Sequence, residues 1–219
     1  LGVSGCIILP VVKLFSSKRI IVNIDGLEWR RPKWNQIAKK FLQFSEVMAC
    51  RFADEVVTDN QILKEYAQIR YNKDTRLIEY GADHTSPVDI RKSDIEEYPF
   101  LNGNYAFKVA RIEPENSIHI VVEAFSRMPT QNLVLVGNWN NSVYGSKIKE
   151  KYKSFDNLYL LDPIYDIKEL DLVRSNASLY IHGHTAGGTN PSLVEAMYLG
   201  LPILSVDVIY NRITTHNQA

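Results

Sequence analysis

Residues 182–205 read HGHTAGGTNPSLVEAMYLGLPILS, and this stretch decides the fold. The apolar run Ala177–Ile181 before it has the length and content of a strand buried on both faces, as inside a parallel sheet. Gly187 and Gly188 allow backbone geometry that a Cβ would resist, and they let a ligand approach the main chain closely. Asn190-Pro191 starts a helix, an Asx side chain at the cap followed by a ring whose fixed φ suits the first helical position. Leu193, Val194, Met197 and Tyr198 then recur at helical spacing, Gly200 fits the position just past the end, and Pro202 prevents continuation. Ile203–Val206 reads as the next strand. The result is a βαβ unit of an α/β protein.

A glycine turn feeding a helix N-terminus leaves backbone N–H groups unpaired, and the helix dipole adds roughly half a positive charge there. Gly187, Gly188, Thr189 and Asn190 are therefore candidate anion-binding residues. Glu195 lies one turn further on, where its carboxylate could accept from the vicinal hydroxyls of a ribose. The spacing S-x-x-E from Ser192 fits a capping box as well, and the local pattern leaves both readings open.

The segment GGTNPSLVEAMYLGLPILSVD resembles the donor-nucleotide motif of GT-B glycosyltransferases, in particular glycosyltransferase family 4. Most of that family carries two glutamates separated by seven residues, the first near the transferred sugar and the second on the ribose. Glu195 stands at the second position, and Gly187 stands where the first would be. The form H-x-H-x-x-G-G-T-N-P-S-L-x-E-A resembles a bacterial subgroup that transfers rhamnose or related sugars during capsule and other surface polysaccharide assembly. The resemblance implies a GT-B fold of two Rossmann-like doubly wound domains, a nucleotide-diphosphate sugar as donor, and no cofactor. A saccharide or lipid-linked oligosaccharide is the implied acceptor.

His182 and His184 are alternate residues on a strand and face the same way, which would suit two metal ligands. No third ligand lies nearby and no D-x-D occurs, so no metal site is expected; one histidine is read into the donor pocket and the other as packing.

The 219 residues suffice for one large or two small domains, and 45% are hydrophobic. With 25 basic and 25 acidic residues there is no basic excess, which argues against a nucleic-acid partner. Cys6 and Cys50 sit in apolar surroundings without framework or metal spacing, as expected of buried thiols in the cytoplasm. No apolar run approaches the ~20 residues of a membrane span, while a peripheral contact with the inner membrane face is compatible with the composition. The chain opens in mid-pattern at Leu1, so both domains are expected to be incomplete.

Residues 1–84 are expected to form the later part of an N-terminal, acceptor-side domain. Gly2–Gly5 looks like a strand tail, Cys6–Phe15 a short apolar helix, and Arg19–Asn23 a strand with Asp25 at its carboxyl end. Asp25–Trp34 is dense in groups that recognise sugars and phosphates, and strand carboxyl ends are where open α/β sheets bind ligands. An ordinary charged loop anchored by two tryptophans fits the same residues. The sequence NIDGLEWRRPKW also resembles the rhamnosyltransferase-like subgroup, which implies an acceptor-side role for Trp29, Arg30 and Arg31. Trp34–Phe52 is spaced as an amphipathic helix and Glu55–Thr58 is a strand. Asp59 or Asn60 caps a helix running to about Ile69, and Arg76–Glu79 is a last strand before Tyr80–Asp83, which resembles the closing segment of the first GT-B domain.

Residues 85–99 read as a polar linker with one short helical turn, and 100–219 as a nucleotide-sugar domain. Its first strand, Asn104–Ile112, carries Arg111 near its end. ARIEPENSI resembles the family's pyrophosphate-binding turn, with Asn116 where a lysine usually stands; a surface ion pair of Arg111 with Glu113 or Glu115 is the alternative. A helix follows from Ser117 to Arg127, then the strand Leu133–Gly137 with Asn138 at its end, a polar helix Tyr144–Ser154 and the strand Leu158–Leu161. Asp162 and Ile164 then stand where GT-B enzymes commonly hold the base, and Asp166 caps a helix to Arg174.

The implied reaction is metal-independent glycosyl transfer, with Arg111 stabilising the leaving diphosphate. Asp25 or Glu28 would be the base if configuration inverts, and no protein nucleophile is needed if it is retained. A GT-B-shaped nucleotide-sugar 2-epimerase and a catalytically silent nucleotide-sugar-binding domain are the competing functions.

Overall fold

A computed structural model describes residues 2–219. The chain divides into two compact units, one of residues 1–80, 186–190 and 207–218, the other of residues 81–185 and 191–206 with the terminal Ala219.

The first unit opens with a 3-10 segment Val3–Ile8, followed by α1 (Leu9–Phe15), β1 (Ile21–Ile24), α2 (Gln36–Phe52), β2 (Glu55–Thr58), α3 (Gln61–Tyr71) and β3 (Arg76–Leu77). Its three strands are parallel in the order β1-β2-β3. Cys6, Leu9, Val22, Ile24, Ala49 and Val56 pack as its core, so α1 and α2 lie on the sheet through their apolar sides. Two asparagines cap helices here: Asn35 accepts the Ala38 N–H at 2.9 Å, and Asn60, rather than Asp59, accepts the Ile62 N–H at 3.1 Å. Two local expectations are revised. Gly2 makes only an isolated bridge to Asn23, because Ser45 on α2 donates to Val3 O at 2.7 Å and accepts the Ile7 N–H at 3.1 Å, coiling the segment onto the helix. The last strand is two residues long, extended by the Ile78 N–H to Thr58 O bond at 2.9 Å.

The second unit contains α4 (Lys92–Glu97), β4 (Tyr105–Val109), α5 (Ile118–Ser126), β5 (Asn132–Val136), α6 (Val143–Tyr152), β6 (Leu158–Leu161), α7 (Ile167–Ser175), β7 (Leu179–His182), α8 (Pro191–Tyr198) and β8 (Ile203–Ser205). All five strands are parallel, in the order β6-β5-β4-β7-β8. Period-two alternation on β5 fills both faces: Leu133 and Leu135 pack with Ile118, Val122 and Trp139, whereas Val134 and Val136 pack with Phe107, Val173 and Leu193. The strand order reverses at β4, where the chain, having built outward through β5 and β6, crosses back to β7. Open α/β sheets bind ligands outside the carboxyl ends at such a reversal.

Residues 85–88 are stitched to the region of α7. Asp171 accepts from the Thr85 hydroxyl and from the Ser86 N–H at 3.0 Å, and the Val88 N–H donates to Ser175 Oγ at 3.1 Å. A further helix, α9 (Ile209–Thr214), belongs to the first unit and packs on α3.

Candidate functional site

At the carboxyl ends of β4, β5 and β6 the second unit has a cavity of about 450 Å³ lined by Arg111, Gly137, Asn138, Ser142, Ile164 and Tyr165, among others. Three of the residues singled out from sequence, Arg111, Asn138 and Ile164, thus share one hollow. Gly137 keeps it open: a Cβ there would lie 2.5 Å from the Ala110 carbonyl oxygen, so only glycine lets the two strand ends pass this closely. Arg111 is exposed and makes no ion pair among the described residues, so neither Glu113 nor Glu115 neutralises it. Asn116, standing where a lysine was anticipated, donates to the Arg111 carbonyl at 2.7 Å. It closes the turn that presents the guanidinium. Asp162 does not line the cavity; it pairs with Lys149 on α6 at 3.0 Å and is well exposed.

Glu195 lies in a second cluster of the same unit. Helix α8 begins at Pro191, so Ser192 is inside the first turn and cannot be the cap of a capping box. Its hydroxyl accepts from the Tyr180 hydroxyl at 2.7 Å. The Glu195 carboxylate pairs with Arg174 through Oε2 and with His84 Nε2 at 2.8 Å through Oε1. Arg174 is 3% exposed and also grips Asp171 at 2.6 Å and the Thr85 hydroxyl. His182 is fully buried; its ring stacks on His184 at 4.4 Å between centroids, and its Nδ1 lies 3.4 Å from the Tyr180 hydroxyl. Burial pushes the Tyr180 phenol well up; its bond to Ser192 opposes this, and the nearby Glu195 charge adds to it. Among the described residues no three His, Cys, Asp or Glu side chains gather as metal ligands.

On β4, Lys108 is entirely buried, its ammonium 3.5 Å from the Ile181 carbonyl. Desolvation lowers its pKa to about 7.

In the first unit, Asp25 is exposed at the end of β1. Glu28 is occupied: it accepts from Trp34 Nε1 at 3.0 Å and pairs with Arg31 at 2.8 Å and Lys33 at 3.4 Å. Arg30 lies over the Trp29 ring at 5.2 Å and lines a separate cavity of about 540 Å³ with Leu27, Ile62, Tyr66, Ile69 and Arg70. Gly187, Gly188, Thr189 and Asn190 are counted with this unit. The Thr189 hydroxyl donates to the Asp59 carbonyl at 2.8 Å and accepts from Asn60 Nδ2 at 3.0 Å. A Cβ on Gly188 would lie 2.5 Å from Asp59 Oδ1. The Asp59 side chain is 2% exposed and neither of its oxygens has a hydrogen-bond partner. Burial pushes its pKa up to about 6, and the Asp25 charge adds to the rise.

Sequence reading did not single out Asp59 beyond a capping role, nor Arg174 or Lys108 at all. Each is a charged residue in an otherwise ordinary helix start, helix end or strand, and only burial marks it. An inward lysine in the apolar run of β4 was the one visible signal.

The glycosyl transferases group 1 family matches residues 90–215, more than half of the chain, and a domain of unknown function, DUF1972, matches residues 5–83. No curated protein sequence matches. Among solved structures, sucrose-phosphate synthase from Thermosynechococcus elongatus aligns with a TM-score of 0.73 at 17% identity, covering 91% of this chain and 53% of its own. The Anabaena protein HepE in complex with UDP-glucose aligns with a TM-score of 0.72 at 21% identity, covering 93% and 57%. The trehalose 6-phosphate synthase of Burkholderia multivorans gives 0.66 at 12% identity, covering 95% and 55%. The chain spans about half the length of each of these structures, and the fold they share with it is GT-B.

Proposed function

The chain belongs to the glycosyl transferases group 1 family, and from that premise we propose that it moves a sugar from a nucleotide-diphosphate donor to a saccharide acceptor. One observation carries the reading. The cavity at the carboxyl ends of β4–β6 is lined by Arg111, whose guanidinium makes no ion pair among the described residues, and by the apolar and amide groups of Ile164 and Asn138.

Breaking the bond between an anomeric carbon and a diphosphate puts negative charge on the leaving oxygen, and a fixed cation aimed there lowers the barrier. Arg111 is suited to that task because Asn116 holds its turn and, among the described residues, no carboxylate pairs with it. Ile164 and Tyr165 offer apolar surface for a base, and Asn138 offers an amide. Glu195 would take the ribose hydroxyls, and the amides of the glycine turn a phosphate. Rhamnose as the sugar, a lipid-linked acceptor, membership of glycosyltransferase family 4, catalysis without a metal and a place at the cytoplasmic membrane face belong to the same proposal. They rest on the rhamnosyltransferase-like motif. HepE, whose structure holds UDP-glucose, supports a nucleotide sugar as the donor class.

The test is a thermal-shift screen of nucleotide sugars on the intact protein, followed by product analysis with and without a saccharide acceptor. A thymidine-linked deoxysugar is expected to raise the melting temperature and transfer only when acceptor is present. Conversion of the donor in the absence of acceptor would instead identify an epimerase, and no response to any nucleotide sugar would end the proposal. Arg111→Ala is expected to cut turnover roughly a hundredfold with donor affinity changed far less.

A further inference from the structure

Arg174 is a buried charge in the second unit that the proposed reaction leaves without a task. Its guanidinium is 3% exposed and lies between two carboxylates, Asp171 at 2.6 Å and Glu195. Asp171 is itself 2% exposed and accepts from Thr85 and the Ser86 amide, so it is fully engaged on its own account. If the cluster served only to fasten residues 85–88 to α7, Asp171 and Thr85 would suffice to neutralise and bond the guanidinium. The further bond to Glu195 reaches onto α8, to a side chain still 15% open.

The two partners of Glu195 also differ in kind. His84 is 49% exposed and comes from the segment before α4, so water or a ligand hydroxyl can take its place at little cost. Arg174 is not so easily exchanged, because its fork is also held by Asp171 and by the Thr85 hydroxyl. A glutamate has three rotatable bonds, and a carboxylate that must meet a pentose hydroxyl, the vicinal pair of a uridine nucleotide or the single 3′-hydroxyl of a thymidine nucleotide, gains from being held in one orientation. Each carboxylate oxygen accepts more than one hydrogen bond, so the Arg174 bond leaves capacity on both.

We infer that Arg174 is a positioning residue for the donor nucleotide: fixed by Asp171 and Thr85, it aims the Glu195 carboxylate at the free hydroxyl or hydroxyls of the nucleotide's pentose, with His84 the partner that a nucleotide displaces. This rests on the reading of Glu195 as the ribose-binding group.

The experiment measures binding of the diphosphates of uridine and thymidine, each beside its 2′,3′-dideoxy analogue, by calorimetry on the intact protein. Wild type is expected to favour the hydroxylated nucleotide of whichever base binds, roughly tenfold or more, and Glu195→Gln to lose most of that preference. Arg174→Met is expected to lose it to the same extent while the dideoxy analogue binds with nearly wild-type affinity, a split that a general loss of structure would not produce. Arg174→Lys retains the charge that folding uses but not the fork, and is expected to lose part of the preference. A full preference in either Arg174 variant, with Glu195→Gln impaired, overturns the positioning role alone. Wild type that binds no nucleotide, or ignores the hydroxyls, overturns the underlying reading instead.

Discussion

Asp59 is a carboxylate that the fold buries without a hydrogen bond, and the physical chemistry of that choice is measurable. Its folded pKa of about 6 lies above the ~3.9 of an unfolded aspartate, so between those values the folded state holds more protons. Stability from this group is therefore lost as pH rises from about 4 to 6. Asp59→Asn removes the ionisation and is expected to stabilise the protein at pH 7 by about 1–3 kcal/mol, while gaining nothing at pH 4. Urea midpoints of both proteins at the two pH values check this, and equal shifts at both would show that the carboxylate is solvated after all. Glu28 shows the reverse arrangement. Two cations and an indole satisfy it, which makes it a fastening of its own loop and leaves Asp25 as the more available carboxylate on β1's end.

At the scale of elements, the ends of β4 and β5 set the mouth of the cavity. Gly137 is where they come closest, and a methyl group there would meet the Ala110 carbonyl and Ile112 Cδ1, each at 2.5 Å. Gly137→Ala should therefore spread the strand ends, lowering stability by roughly 1–3 kcal/mol and weakening donor binding together. Calorimetric melting and nucleotide titration on one preparation would test it, and an unchanged melting temperature would mean that the strand ends have slack. Helix α8 teaches a different lesson. Its start at Asn190-Pro191 and its end at Gly200, whose φ is +68°, follow from local chemistry visible in the sequence. The partner of Glu195 did not, because Arg174 lies 21 residues earlier and its position against α8 is a product of packing.

For the molecule as a whole, the pH dependence of unfolding should also carry the signature of Lys108. Its folded pKa of about 7 lies below the ~10.4 of a free lysine, so between them the unfolded chain holds the extra proton. Stability is then expected to rise with pH from about 7 towards 10, by up to ~1.4 kcal/mol per unit from this one group. Lys108→Met should flatten that rise; denaturant unfolding at pH 7 and 9.5 decides, and an equally steep rise in the variant would assign it to other groups.

Strand and helix periodicity, asparagine and aspartate caps, and glycine and proline stops were enough to read the parallel α/β architecture and most of its elements from the sequence, because these signals act over a few residues. The resemblance to the GT-B motif marked the candidate donor-side positions in the same way. Which charges those positions would meet was a matter for the tertiary structure alone. That Arg111 makes no ion pair among the described residues, that Glu195 is taken by Arg174 and His84, that Asp162 turns to Lys149, and that Asp59 and Lys108 are buried all depend on residues distant in the chain. Electrostatic partners and desolvation are set by where folded segments come together, and no short-range pattern encodes them.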